Sequence, residues 1–337
     1  MATKYKLLLI GLLLLALGGI AGYVMGFNYE RGVLVEKLGI IHPLREHDSN
    51  YKFIDPLLAY ILPSFDQETE FNGLKNKITD FIDSEKKNNE LSGASVFLSD
   101  LNQGRWIGVN EKDKYNPASM LKVVIMVAYF KETEKKPDVL HKSLMYTKDL
   151  DALLKKDVFN SESNLQINKN YVVEDLINKM IIYSDNGAEV LLLNNIDKSY
   201  LDAIYSALNI DNPEKTSENF TISPRTYSLF YRILYSATYL SHEMSEKALD
   251  ILSKTTFNDG IVDNLPREIV ISHKFGEHIT VDNNQFQNIE LHDCGIVYYK
   301  NYPYFLCVMT RGSNLENLKY VIKNISNLVY QNYASLK

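Results

Sequence analysis

The sequence predicts an α/β fold of the α+β kind, in which an antiparallel five-stranded sheet is flanked by helices and split by an all-helical lobe. Three observations predict it. Two β-type runs joined by a turn lie early in the chain, and three more lie near its end. Between them, from Lys131 to about Thr255, nearly every segment repeats its apolar residues at helical spacing. Amphipathic helices open and close the region.

The elements follow in order. Leu74, Ile78, Phe81 and Ile82 predict a helix over 74–87. Ala94-Ser95-Val96-Phe97-Leu98 and Arg105-Trp106-Ile107-Gly108-Val109 flank Asp100-Leu101-Asn102-Gln103-Gly104, the pattern of a hairpin. A helix should start at Asn116-Pro117-Ala118-Ser119 and run to about Phe130; it is apolar on nearly every side, so it should be central. Helices are expected over 173–184, 187–196, 199–208, 224–239 and 241–252. Strands return at 269–274, 295–299 and 305–309, the last two joined by Lys300-Asn301-Tyr302-Pro303, and a helix over 315–333 closes the chain.

The amino terminus reads differently. Leu7 to Met25 is apolar or Gly throughout, and at ~1.5 Å per residue such a run is close to the ~30 Å of a bilayer's hydrocarbon layer. Lys4 and Lys6 precede it, whereas Glu30 and Arg31 offset one another after it, which places the tail inside and the bulk outside. We therefore expect a cytoplasmic tail (1–6), a single-pass membrane anchor (7–27), a juxtamembrane segment (28–72) and an extracytoplasmic domain (73–337) in the cell membrane. A cleaved signal peptide is the rival reading, but the apolar run exceeds the ordinary signal length. Residues 54–62 of the juxtamembrane segment are too apolar for a free linker and should pack on the domain or on the bilayer.

Composition narrows the function. With 45% hydrophobic residues the chain can bury a full core, so the question is where its site lies. A net charge of −6 without a dense basic patch argues against nucleic acid as partner. The histidines lack metal-ligand spacing: His242-Glu243 begins like a zinc motif, but Glu246 stands where its second His belongs. No metal or other cofactor is expected. Cys294 and Cys307 could face each other across a hairpin, but we expect buried free thiols rather than a disulfide. Nothing in the sequence fixes an oligomeric state.

The chemistry-bearing candidate is Ser119-x-x-Lys122. A serine is a weak nucleophile until its proton is removed. At a helix start its Oγ meets the positive end of the dipole, and a lysine three residues on shares its face. The spacing alone says little, because Ser49-x-x-Lys52 and Ser84-x-x-Lys87 repeat it, and a capping serine with a snorkelling lysine is the bland alternative. Ser184-Asp185-Asn186 reads by itself as a helix-capping turn, and Lys274-Phe275-Gly276 as an edge lysine beside a glycine; Lys37-x-Gly39 is a second copy of the latter spacing.

Taken in order, Ser-x-x-Lys on a buried helix, Ser-Asp-Asn in the helical lobe and Lys-x-Gly on a returning strand resemble the class A β-lactamases and penicillin-binding D,D-peptidases. The resemblance runs from about Leu74 to the C-terminus and implies a β-lactamase/transpeptidase-like fold and a serine hydrolase. It implies that Ser119 forms an acyl-enzyme with Lys122 as base, and that Ser184 relays a proton to the leaving nitrogen with Lys274 beside it. By the same resemblance Asn186 binds the substrate amide and steadies Lys122. The backbone N–H groups of Ser119 and Glu277 make the oxyanion hole, and Gly276 lets the substrate approach. The partner implied is a β-lactam or a peptidoglycan stem peptide; a slowly acylated wall-binding or sensor ectodomain is the reading of another class.

The sequence departs from the family's pattern twice. Phe275 stands where these enzymes usually carry Thr or Ser, whose hydroxyl helps bind the substrate carboxylate; either Lys274 and His278 take that task or the natural substrate differs. The loop after the helical lobe shrinks to about 209–223 and lacks a Glu-x-x-Leu-Asn run; only Glu214 and Glu218 offer a deacylating carboxylate there.

Overall fold

The computed structural model describes residues 44–45, 50–59, 69–87, 91–102, 104–152, 163–215, 220–281, 287–300 and 302–335. The expected tail, the anchor and Glu218 lie outside the described residues.

Helix α1 spans Thr69–Lys86 and buries Leu74, Ile78 and Ile82, a spacing of four that keeps all three on one face. Strands β1 (Leu91–Asp100) and β2 (Trp106–Val109) form the expected hairpin. A 3₁₀ turn, Ala118–Leu121, leads into α2 (Lys122–Thr133), which is buried on every side from Lys122 to Phe130. The helical lobe adds α3 (Val173–Ile182), α4 (Asn186–Leu193), α5 (Lys198–Ala207), α6 (Pro224–Tyr235) and α7 (His242–Leu252). Side chains of Asp185, Asp197, Ser223 and Ser241 cap the last four by accepting early backbone N–H groups. A small hairpin, Ser143–Tyr146 with Lys169–Val172, interrupts the lobe where only helices were expected.

Three long strands complete the sheet: β3 (Val270–Val281), β4 (Gln287–Tyr298) and β5 (Tyr304–Gly312). The order across the five-stranded antiparallel sheet is β2-β1-β5-β4-β3, so β3 is an edge. Helix α8 (Leu315–Ser335) closes the chain. The expected end of β3 at Lys274 is corrected: the strand runs on through Phe275, Gly276 and Glu277, because each continues to pair with β4.

Both faces of the sheet are buried, and alternate residues serve different cores. On β5, Tyr304, Leu306 and Val308 pack with α1 and α8, while Phe305, Cys307 and Met309 pack with the helical lobe. Each fully buried apolar side chain of this kind contributes roughly 1.5–3 kcal/mol. Rows run across the lobe-facing side in register: Phe97, Cys307, Cys294 and Lys274 make one, and Ser95, Met309, His292 and Gly276 the next. The expectation of free thiols is corrected here. Cys294 and Cys307 are direct cross-strand partners with Cα atoms 4.0 Å apart, and they form a disulfide.

The segment before α1 docks on the same unit. Phe53 and Ile54 are buried in the lobe-side core, and Glu246 on α7 accepts the backbone N–H groups of Lys52, Phe53 and Ile54 at 2.8, 2.9 and 3.0 Å. Asp55 N–H donates to Tyr235 O at 2.9 Å, continuing the seam along α6.

Candidate active site

Ser119 sits in the 3₁₀ turn, half-buried, one turn before Lys122. The turn is bent at Ala118, whose φ of 46° lies in the left-handed region that a Cβ disfavours. Several bonds hold it there. Ala118 N–H donates to Asn116 Oδ1 at 2.9 Å, Met120 N–H donates to Pro117 O at 3.0 Å, and the Tyr227 hydroxyl donates to Met120 O at 3.0 Å. Asn116 is itself fixed from the sheet: its N–H donates to Glu290 Oε2 at 2.8 Å, and Glu290 is held by Arg311 at 2.6 Å.

His292 completes this brace. Thr310 N–H donates to its Nδ1 at 3.3 Å, so the ring proton belongs on Nε2, which donates to Asn116 O at 3.0 Å. Burial pushes its pKa down to about 4, which keeps the ring neutral in this role.

Gly276 explains how β3 reaches the serine turn. A Cβ at this position would lie 2.5 Å from Pro117 O and 2.9 Å from Met120 Cγ, so the strand and the turn touch only because there is none. The close approach that this glycine permits is thus to the turn that carries Ser119. Glu277 follows it on the edge strand, paired in register with Leu291.

Lys122 is fully buried and points at the Ser-Asp-Asn turn. Its Nζ donates to Ser184 O at 2.7 Å and to Asn186 Oδ1 at 2.6 Å, and lies 3.2 Å from Ser184 Oγ. Ser184 has φ 56°, and this bend turns its carbonyl and its hydroxyl toward one amine. Asp185 is structural: Oδ1 accepts Ala188 N–H at 2.9 Å to cap α4, and Oδ2 accepts Asn164 N–H at 3.1 Å.

Lys274, also fully buried, donates from Nζ to Ser184 Oγ at 3.0 Å and to Phe275 O at 3.1 Å. Burial, and secondly the charge of Lys122, push its pKa well below the ordinary lysine value; Asp293 and Glu189 oppose the shift. Ser184 Oγ is therefore shared by two buried amines. Four residues singled out in the sequence, Lys122, Ser184, Asn186 and Lys274, are joined by these bonds, and Ser119 stands in the turn just before Lys122.

Sequence reasoning missed Glu189. It lies one helical turn after Asn186 on α4, and its Oε2 is 3.4 Å from Lys122 Nζ, with the side chain one-quarter exposed. The signal was available, since residues three apart on a helix share a face. Of the two loop carboxylates proposed earlier, Glu214 pairs with Lys198 at 3.1 Å. Glu189 and Glu214 both line a cavity of about 120 Å³ whose other walls include Leu121, Ile125, Leu193 and Tyr205.

Comparison with known proteins agrees with this architecture. The family model described as Beta-lactamase enzyme family matches residues 73–333. No curated protein matches the chain by sequence. Among solved structures, the acyl-enzyme complex of a PBP-A mutant with penicillin G is 23% identical, with TM-score 0.64, covering 79% of this chain and 97% of that one. A β-lactamase from Chitinophaga pinensis is 18% identical with TM-score 0.66, covering 78% of this chain and 100% of that one. The class A β-lactamase from Mycobacterium abscessus is 18% identical with TM-score 0.62, covering 76% and 99% respectively. At these identities the likeness is one of fold.

Proposed function

The chain belongs to the Beta-lactamase enzyme family, and we propose that it is a membrane-anchored, extracytoplasmic serine hydrolase that forms an acyl-enzyme on Ser119 with β-lactams or related amides. The observation that carries this is the seating of Lys122 Nζ between Ser184 and Asn186, one turn from Ser119, with Lys274 on the same Ser184 hydroxyl.

In this reading Lys122, as free amine, takes the Ser119 hydroxyl proton while Oγ attacks the carbonyl carbon. The oxyanion that forms is met by the N–H groups of Ser119 and Glu277. The C–N bond then breaks as Ser184 gives its proton to the leaving nitrogen and regains one from the Lys122 ammonium, which carries the proton taken from Ser119. Lys274 positions that hydroxyl. Asn186 steadies Lys122 and offers its amide to the substrate side chain. Water releases the acyl group from Ser119 in a second step.

A D,D-peptidase acting on peptidoglycan stem peptides shares this first half-reaction. It is favoured by the loop over 209–223, whose sequence lacks a Glu-x-x-Leu-Asn run and whose Glu214 is engaged by Lys198. The membrane anchor is supported by the apolar run Leu7 to Met25 and the lysines before it.

The test is to incubate the full-length chain with a fluorescent penicillin and follow label on Ser119 over time. Release within seconds identifies a β-lactamase, and a label stable for many minutes identifies the peptidase or the slowly acylated wall-binding or sensor ectodomain. Absence of label on the wild type, or equal labelling of Ser119→Ala, would sink the acyl-enzyme reading. Lys122→Ala is expected to stay folded and to lose acylation; normal acylation would remove Lys122 from the role of base.

A further inference from the structure

Phe275 occupies the place in Lys-x-Gly where a carboxylate-binding hydroxyl is expected, and the structure shows what its ring does there. Strand alternation starts Phe275 and Lys274 toward opposite faces of the edge strand β3, yet the Phe275 ring stays beside the Lys274 amine. Its centroid lies 4.2 Å from Lys274 Nζ, the same amine that sits 3.0 Å from Ser184 Oγ. Phe257 stacks on the ring at 4.1 Å between centroids and 17° between planes, which fixes it in position. The loop bearing Phe257 is tied beside the Ser184 turn: Thr256 donates from both N–H and Oγ1 to Ile182 O at 3.0 Å. Both phenylalanines are half-buried, so the pair keeps some apolar surface open at the site's edge.

Resting on the acyl-enzyme reading above, we propose that Phe275 and Phe257 form an apolar subsite beside Ser184 that accepts an uncharged, apolar group on the leaving-nitrogen side of the substrate and disfavours a carboxylate there. The face of an aromatic ring carries partial negative charge, so it attracts the lysine amine and repels an anion. Lys274 already donates to Ser184 Oγ and Phe275 O and is covered by the ring, which leaves its fully buried amine poorly placed to receive a carboxylate.

The experiment compares penicillin G with its methyl ester as acylating agents of the full-length chain, reading the rate of Ser119 modification by intact mass. In the wild type the ester is expected to react at least as fast as the acid. Phe275→Thr, which restores a hydroxyl, is expected to shift the acid-to-ester rate ratio by about tenfold or more toward the acid, the worth of one charge-assisted hydrogen bond. Phe275→Leu, which stays apolar, should keep the wild-type ratio. The subsite is overturned if the wild type prefers the acid by about tenfold, or if folded Phe275→Thr keeps the wild-type ratio. If Phe275→Thr shows no cooperative melt, the wild-type and Phe275→Leu ratios decide alone, and an acid preference in both rejects the subsite. If neither compound modifies Ser119, the acyl-enzyme reading fails and the subsite falls with it.

Discussion

Glu189 holds a partly exposed carboxylate 3.4 Å from Lys122 Nζ and within reach of water. On the proposed acyl-enzyme reading, this carboxylate accepts a proton from the water that attacks the Ser119 ester, a contribution of about 10²-fold or more for a general base. Glu189→Gln keeps the shape and removes the charge. It is expected to lengthen the lifetime of the Ser119 ester by about that factor while slowing acylation less. Equal lifetimes in a pulse-chase with labelled penicillin would rule out this role. Gly276 makes a second test at the same scale. Its added methyl meets a backbone oxygen, which cannot swing away as a flexible side chain would. Gly276→Ala is expected to cost about 1–3 kcal/mol in urea unfolding and to abolish acylation, because the turn carrying Ser119 must move. Normal labelling with unchanged stability would mean that strand and turn part without consequence.

Among the elements, the docked segment before α1 depends on one side chain of the lobe. Glu246 accepts three successive N–H groups from Lys52 to Ile54, and the two side chains that follow this clasp into the core are Phe53 and Ile54. Glu246→Ala leaves those donors without their charged acceptor and is expected to cost about 2 kcal/mol. Limited proteolysis should then cut within 50–59 faster than in the wild type, whereas unchanged cutting would show that apolar burial alone holds the segment. This docking was only partly legible in sequence. The apolar run over 54–62 indicated packing, but Glu246 is nearly two hundred residues away and no local pattern joins them. Helix positions were legible because most have a 3.6-residue apolar period and four have a side-chain cap, Asp185, Asp197, Ser223 or Ser241. Strand lengths were not: β3 extends past Lys274 because pairing with β4 supplies partners that its own sequence does not announce.

At the scale of the whole molecule, the site is a seam between the sheet and the helical lobe, and the buried charges of that seam link stability to pH. His292 titrates near 6.5 when unfolded and at about 4 when folded, so in that window the unfolded chain binds the extra proton. Its contribution is therefore present above about pH 6.5 and is lost as pH falls toward 4, amounting to roughly 3 kcal/mol. Unfolding measured across this range should show a slope that is reduced by about one proton in His292→Gln. An identical slope in the two chains would assign the acid sensitivity elsewhere.

Sequence by itself determined the order of the main helices and of the five sheet strands, and the three motifs whose succession points to one chemistry. Local periodicity and short spacings are written along the chain, and Ser119 with Lys122 share a helical face whatever lies around them. Only the tertiary structure decided which groups meet across it. Ser184 Oγ lies between Lys122 and Lys274, which are far apart in sequence, Gly276 presses on Pro117, and Cys294 bonds Cys307. The two residues that give this site its own character, Glu189 and Phe275, act through the amines they approach. An ion pair or a ring over an amine depends on a few ångströms of separation, and folding sets that separation through contacts remote from either residue.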